Sequence, residues 1–254
     1  MKKQRLFLIG GLDLEMQTII GLLHKRNIPY CNAVLHWHNA LLSKYQTEIK
    51  RYGNRIEWEL YGIELREDMP VPSNYICIDH HNSHTHLPSS LEQVAALLHE
   101  PMDRYLQLVS ANDAAYIPGM KSMGATPEEI AHIRLADRKA QGVTEEEERL
   151  AEISIAEGMH REENLLLVHA QTSCFSPICD RLYPYDRLII YTDKEIAYYG
   201  SGVKALSVHF AKEIQAGRMY HGGGNAGYFG TSACAYSPSE LKSLLIQFKK
   251  LTAL

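Results

Sequence analysis

The sequence predicts an α/β protein in two parts, a parallel-sheet domain followed by a smaller second α/β domain. Three observations point there. Short apolar runs alternate with amphipathic helical stretches through the first half of the chain, the pattern of a parallel sheet covered on both faces. Near residue 160 the texture changes and closely spaced strand-like runs take over. A length of 254 residues suits one large domain or two compact ones. The division is expected between residues 1–158 and 159–254.

RLFLIG (5–10) reads as the first strand. Residues 15–25 follow as a helix, with Met16, Ile19, Ile20 and Leu23 on one face. A second strand is expected over 30–35, a second helix over 39–52 and a third strand over 56–65. NYICI (74–78) reads as a fourth, fully buried strand, with Cys77 as part of the core. Helices are then expected over 90–99, 102–111, 126–139 and 144–158. The start Thr126-Pro127-Glu128-Glu129 carries a threonine cap, a first-turn proline and acids near the positive helix end. The acidic run 145–148 reads as a solvated helix start. In the second part, strands are expected over 164–169, 187–192 and 195–200, and helices over 203–216 and 238–250.

Hydrophobic residues make up 45% of the chain and charged residues 22%, the composition of a folded globular protein. The formal net charge is -4. Proteins that grip long nucleic acid usually carry a basic surplus, so long duplex nucleic acid is excluded as a partner. No apolar run approaches the roughly 18 residues that span a bilayer, so no membrane role is expected. Five cysteines at scattered spacings suggest neither a disulfide framework nor structural zinc. Reduced thiols in a cytoplasmic protein account for them.

Open parallel sheets form their sites at the carboxyl ends of strands. Gly10-Gly11-Leu12-Asp13-Leu14-Glu15 follows the first strand, Glu64 ends the third with Glu67-Asp68 beyond it, and Asp79-His80-His81-Asn82 follows the fourth. Asp113 stands at the end of a helix. Asp13 alone reads as a helix cap. An Asp-His-His triplet leaving a buried strand is harder to explain structurally, because three polar groups there need partners and a metal supplies them. Carboxylates with imidazole suit manganese or magnesium. His36, His38, His84 and His86 lie close by in sequence as spare ligands.

YICI followed by Asp79-His80-His81 resembles the signature of the DHH phosphoesterase superfamily. Asp13-Leu14-Glu15 is similar to its first motif, Asp113 to its fourth-motif aspartate, and His221-Gly222-Gly223-Gly224-Asn225 with Ala226-Gly227 to the glycine-rich loop of its associated C-terminal domain. The resemblance covers most of the chain. It departs at Ile9, where the family usually has a histidine, and at Glu15, Glu64 and Asn225, which replace two aspartates and a histidine. It implies one or two Mn2+ or Mg2+ ions held by Asp13, Glu15, Glu64, His80 and Asp113. It further implies that Asp79 orients His80 through its second ring nitrogen and that His81 contacts the scissile phosphate. Gly222, Gly223, Gly224, Asn225 and His221 would bind the distal part of the substrate, facing the metal site across a cleft, and Lys204 is a weaker phosphate contact. The implied activity is metal-dependent hydrolysis of a phosphoester in a short nucleotide, a short oligonucleotide or another small phosphorylated compound. The alternative is a degenerate member that binds such a ligand without cleaving it. Whether the chain forms a homodimer is left open by the sequence.

Overall fold

The computed structural model describes residues 3–223 and 227–253. The chain divides into two compact units, residues 1–142 and 143–254.

The first unit contains β1 (Gln4–Ile9), α1 (Leu14–Lys25), β2 (Tyr30–Asn32), α2 (Gln46–Tyr52), β3 (Trp58–Ile63) and β4 (Tyr75–Ile78). Then come α3 (Ser90–Leu98), α4 (Arg104–Ser122) and α5 (Pro127–Ala140). The four strands pair in parallel in the order β2-β1-β3-β4. On one face Leu6, Leu8 and Leu60 pack with Leu35, Ala40, Leu42 and Tyr45 from the segment after β2. The opposite face carries Phe7, Ile9, Tyr61 and Ile63, all buried, as the two-residue period of a strand requires. A sheet covered on both faces is what the near-continuous apolar runs predicted.

Two expectations for this unit are corrected. The fourth strand is not fully buried: β4 is the edge of the sheet, and Ile76 and Cys77 are exposed. An apolar run of four residues fits an edge strand as well as a central one, and pattern alone does not give strand order. Cys77 is therefore not core, and burial of its surroundings still pushes its thiol up to about 11. The helix expected over 39–52 is also broken, into single 3-10 turns at Trp37–Asn39 and Leu42–Tyr45 followed by the shorter α2.

Register places the site. Ile9, Ile63 and Ile78 are lateral neighbours at the carboxyl ends of β1, β3 and β4. The segments carrying Asp13, Glu64 and Asp79-His80 thus leave the sheet from one edge. Glu64 continues the ladder by donating its N–H to the Ile78 carbonyl at 2.8 Å, while its own φ of 50° lies in the left-handed region. That conformation is uncommon outside glycine and concentrates at functional sites. Gly10 makes room for it: a Cβ there would stand 2.1 Å from the Ile63 carbonyl oxygen and 2.6 Å from that of Glu64.

The second unit begins with α6 (Glu145–Gly158), then β5 (Met159–Glu162), β6 (Leu165–His169), α7 (Ser176–Leu182), β7 (Arg187–Tyr191) and β8 (Ile196–Gly200). It ends with α8 (Val203–His209), α9 (Ala211–Gln215), β9 (Met219–Gly222), β10 (Tyr228–Thr231) and α10 (Pro238–Leu251). Its mixed sheet runs β5-β6-β7-β8-β10-β9, and among the described residues only β6 and β7 pair in parallel. Leu165, Leu167, Ile189 and Tyr198 pack with Phe210, Phe229, Leu244 and Phe248, while Leu166, Val168, Leu188 and Ile190 pack with Ala151, Phe175 and Ile178. Ala151 belongs to α6, so the helix expected to close the first domain packs against β6 and α7 of the second, and the division falls at 142–143. As expected, the acidic run 145–148 opens that helix, behind a Thr144–Glu147 capping box.

Candidate metal centre

Asp13 caps α1: its Oδ1 accepts the Met16 N–H at 2.9 Å. The cap reading and the ligand reading hold together, because Oδ2 is buried with no partner. Glu15, in the first turn of α1, accepts the Leu91 N–H at 2.9 Å through Oε1 and leaves Oε2 buried and unpaired. Glu64 accepts the Ser90 hydroxyl at 2.7 Å through Oε1, and its Oε2 is likewise unpaired. The start of α3 thus fixes two of the carboxylates.

Glu15 and Glu64 meet Asp113 at His80. Its Nε2 lies 2.6 Å from Asp113 Oδ2, 3.4 Å from Glu64 Oε1 and 3.7 Å from Glu15 Oε2. The His80–Asp113 pair is close but not aligned as a hydrogen bond, and both atoms count as buried without a partner. One ligand atom each from Glu64, His80, His81 and Asp113 falls within 4.8 Å of the others. Buried polar atoms are nearly always satisfied. Here Asp13, Glu15, Glu64, His80 and Asp113 each keep one that is not. A divalent cation is what this oxygen-rich set of carboxylates and imidazole would accept, so the residues present fit the metal the family resemblance implies.

The electrostatics agree. Burial, then the Asp113, Glu64 and Asp137 carboxylates, push Asp13 up to about 7 although its cap bond pulls the other way. Glu15 is raised well above the ordinary range by burial and by Asp113 and Glu64. Burial works against a charge on His80, but the nearby Asp113, Glu64 and Glu15 outweigh it and carry the imidazole up to about 10. Without a cation the cluster therefore collects protons.

This has a measurable consequence. Asp13 binds its proton more tightly in the folded, metal-free protein, at about 7, than in the unfolded chain, near 3.8. Its contribution to stability is complete below the unfolded value and is lost as pH rises toward about 7. Between about pH 5 and pH 7 the loss is on the order of 2–3 kcal/mol. Urea unfolding of metal-free protein should show that decline. Asp13→Asn, which keeps the cap acceptor, should flatten it. Parallel pH profiles for the two proteins would sink the assignment.

One expected contact is corrected. Asp79 does not orient His80: its Oδ1 accepts the His81 backbone N–H at 2.8 Å and lies 3.1 Å from His81 Nδ1. The backbone bond across two residues turns the carboxylate toward its nearer neighbour. Ile9 is fully buried in the sheet and offers no ligand atom. Among the described residues none of the spare histidines joins the group of four. His84 Nδ1 lies 3.9 Å from Asp79, and the His36 and His38 rings stack on each other. Of the two acids beyond Glu64, Asp68 accepts from the backbone N–H and hydroxyl of Ser43.

Sequence reading missed the support beneath the cluster. Asp137 Oδ1 accepts the Leu14 N–H at 3.1 Å, and Asp137 Oδ2 lies 2.7 Å from Arg134 Nη1. The same Arg134 nitrogen donates to Asn112 Oδ1 at 2.9 Å. One buried network from α5 thereby holds the neighbours of both Asp13 and Asp113. Two residues after Asp113, α4 is interrupted by non-helical backbone at Ala115 and Tyr116. Beside the cluster lies a hollow of about 460 Å3 whose lining includes Trp37, Arg66, Glu67, Asp79, His81 and His84.

In the second unit the glycine-rich segment is the β9–β10 hairpin. Gly222 pairs with Tyr228, and Gly223 has φ 72°. A Cβ on Gly227 would stand 1.8 Å from the Gly222 carbonyl oxygen. His221 is an exposed strand residue, and Phe229 is core. Gly224 and Asn225 lie outside the described residues.

No protein-family model matches the chain, and no curated protein matches it. Solved structures do. The DHH domain of a member of the s1p family of ribosomal proteins aligns over 99% of this chain and 87% of its own, at a TM-score of 0.57 and 10% identity. A pGpG-specific phosphodiesterase from Vibrio cholerae aligns over the whole of both chains at 0.47 and 13%. RecJ from Thermus thermophilus, in complex with Mn2+, aligns over 98% of this chain and 51% of its own at 0.46 and 12%. The chain has the fold of DHH-domain proteins. No helix among the described residues is long and apolar enough to cross a membrane.

Proposed function

We propose that this chain is a metal-dependent phosphoesterase acting on a short nucleotide or another small phosphorylated compound. The observation that carries the reading is the gathering of Asp113, Glu64 and Glu15 carboxylate oxygens within 3.7 Å of His80 Nε2, with Asp113 Oδ2, Glu15 Oε2 and Nε2 itself buried without a hydrogen-bond partner. Glu64, His80 and Asp113, with Asp13 and Glu15 beside them, would hold one or two Mn2+ or Mg2+ ions. Such an ion supplies Lewis-acid stabilisation of charge on an attacked phosphoryl group.

The chain's own groups supply the rest. His81 is about one-third exposed at its side chain and leans its Nδ1 on Asp79. That carboxylate fixes the ring and leaves Nε2 to contact a phosphate oxygen. A donor held by its neighbour needs little reorganisation as charge develops. His221, Gly222, Gly223, Gly224 and Asn225 are proposed to bind the remote end of the substrate through backbone N–H groups, which suits a chain of net charge -4.

The test is hydrolysis of bis-p-nitrophenyl phosphate with manganese, followed by a screen of nucleotides and short oligonucleotides. Metal-dependent turnover of one of them is expected. Gly223→Val should raise KM with metal content unchanged. A protein that binds manganese and a nucleotide yet turns over no phosphoester would instead be the degenerate binder, a reading favoured by Ile9 and by the longer Glu15 and Glu64.

A further inference from the structure

Trp37 is half exposed, at 51% of its full surface, although tryptophan is among the most buried residues on average. It does not sit on a slack loop. Leu35 and Ala40, on either side, are buried in the core. The Ala40 carbonyl accepts the Arg66 N–H at 2.9 Å, and Leu42 donates to the Arg66 carbonyl at 3.0 Å. A turn of 3-10 helix at Trp37–Asn39 spans the gap. The chain thus uses fixed backbone to present an indole at the hollow beside the acid–imidazole cluster.

The indole is 4.8 Å from the His81 ring, at 75° to it. A near-perpendicular neighbour cannot cover both faces of a ring, so stacking surface remains. His81 Nδ1 is in turn 3.7 Å from Glu64 Oε1. His81 thus touches both the platform and the cluster, and Trp37, His81 and Glu64 line the same hollow. The hollow, about 460 Å3, falls in the size range of small-ligand sites. Arg66 is the cation of its lining, and a guanidinium suits a phosphate or stacks on a ring.

We infer that Trp37 is a nucleobase platform and that the preferred substrates carry an aromatic base next to the scissile phosphate. This rests on the phosphoesterase reading and narrows it, against pyrophosphate, polyphosphate and sugar phosphates. Stacking needs no hydrogen-bond code, so the platform selects for a base without selecting which one.

The chain has two tryptophans, Trp37 and Trp58, so indole fluorescence reads the contact independently of turnover. The folded 254-residue chain in magnesium buffer is titrated with AMP and with ribose 5-phosphate. AMP should quench the emission and ribose 5-phosphate should not. The quenching should survive in Trp58→Phe and vanish in Trp37→Leu. With manganese, KM for a dinucleotide should rise about tenfold in Trp37→Ala and stay within about twofold in Trp37→Phe, with metal content intact in both. Equal binding of AMP and ribose 5-phosphate, or AMP affinity unchanged by Trp37→Leu in equilibrium dialysis, overturns the inference. The two readings fail separately. Quenching by AMP without hydrolysis of any phosphoester removes the enzyme and leaves the platform, whereas hydrolysis without quenching does the reverse.

Discussion

Replacing His80 with alanine should strip the divalent ion from the purified protein and lower manganese-dependent turnover by about a thousandfold or more. Lewis-acid stabilisation is worth several kcal/mol, and each step of about 1.4 kcal/mol is tenfold in rate. His80 is singled out because its Nε2 is the atom around which Asp113, Glu64 and Glu15 gather, at 2.6, 3.4 and 3.7 Å. Removing the imidazole takes away the nitrogen ligand around which the three carboxylates are arranged, and their mutual repulsion makes protons stronger competitors for the ion's place. His81→Ala is the comparison. Its ring leans on Asp79 and is partly open to the hollow, so its loss should slow turnover while metal content stays near normal. Metal analysis of both variants beside their kcat values separates the roles. Equal loss of metal from both would make His81 a ligand, as its place within 4.8 Å of the other three also allows.

Much of this arrangement is legible in the sequence because it is local. Asp13 is one residue before a helix with an apolar stripe, Glu64 ends an apolar run, and the Asp-His-His triplet follows another. Once strands and helices alternate, the parallel topology alone carries these segments to one edge. What the sequence hides is spatial arrangement. Strand order puts β4 at the edge and exposes Cys77, and no period-two pattern records order. Asp79 chooses His81 over His80 through a bond to the backbone, which residue types do not reveal. The glycine-rich segment reads as a loop because glycine usually marks turns, yet its flanks pair as a hairpin with Phe229 in the core. Ser90, Asn112, Arg134 and Asp137 carry no motif, and they act only when α1, α3, α4 and α5 come together.

That hidden layer gives the second large effect. Arg134 is buried, with its Nη1 2.7 Å from Asp137 Oδ2 and 2.9 Å from Asn112 Oδ1, and its guanidinium 4.5 Å from the centre of the Tyr116 ring. Arg134→Met removes the charge that compensates the buried Asp137. Breaking one side of such a pair costs about 3–5 kcal/mol, more than the pair contributes over an apolar replacement, because the remaining charge stays buried. Adding Asp137→Asn to that variant should therefore recover part of the loss, and urea unfolding of the two single variants and the double gives the coupling directly. The effect should also reach the metal centre. Asp137 holds the Leu14 N–H between Asp13 and Glu15, and Asn112 precedes Asp113. Groups that orient ligands typically change metal affinity by about 10- to 100-fold when removed. A manganese titration of folded Arg134→Lys, which keeps the charge but loses the planar fork, should show weaker binding at nearly normal stability. If Arg134→Met costs less than about 1 kcal/mol, or if Asp137→Asn deepens the loss instead of relieving it, Arg134 and Asp137 are not the compensating pair their geometry implies. The ligand loops would then owe their positions to the apolar packing of α1 against the sheet.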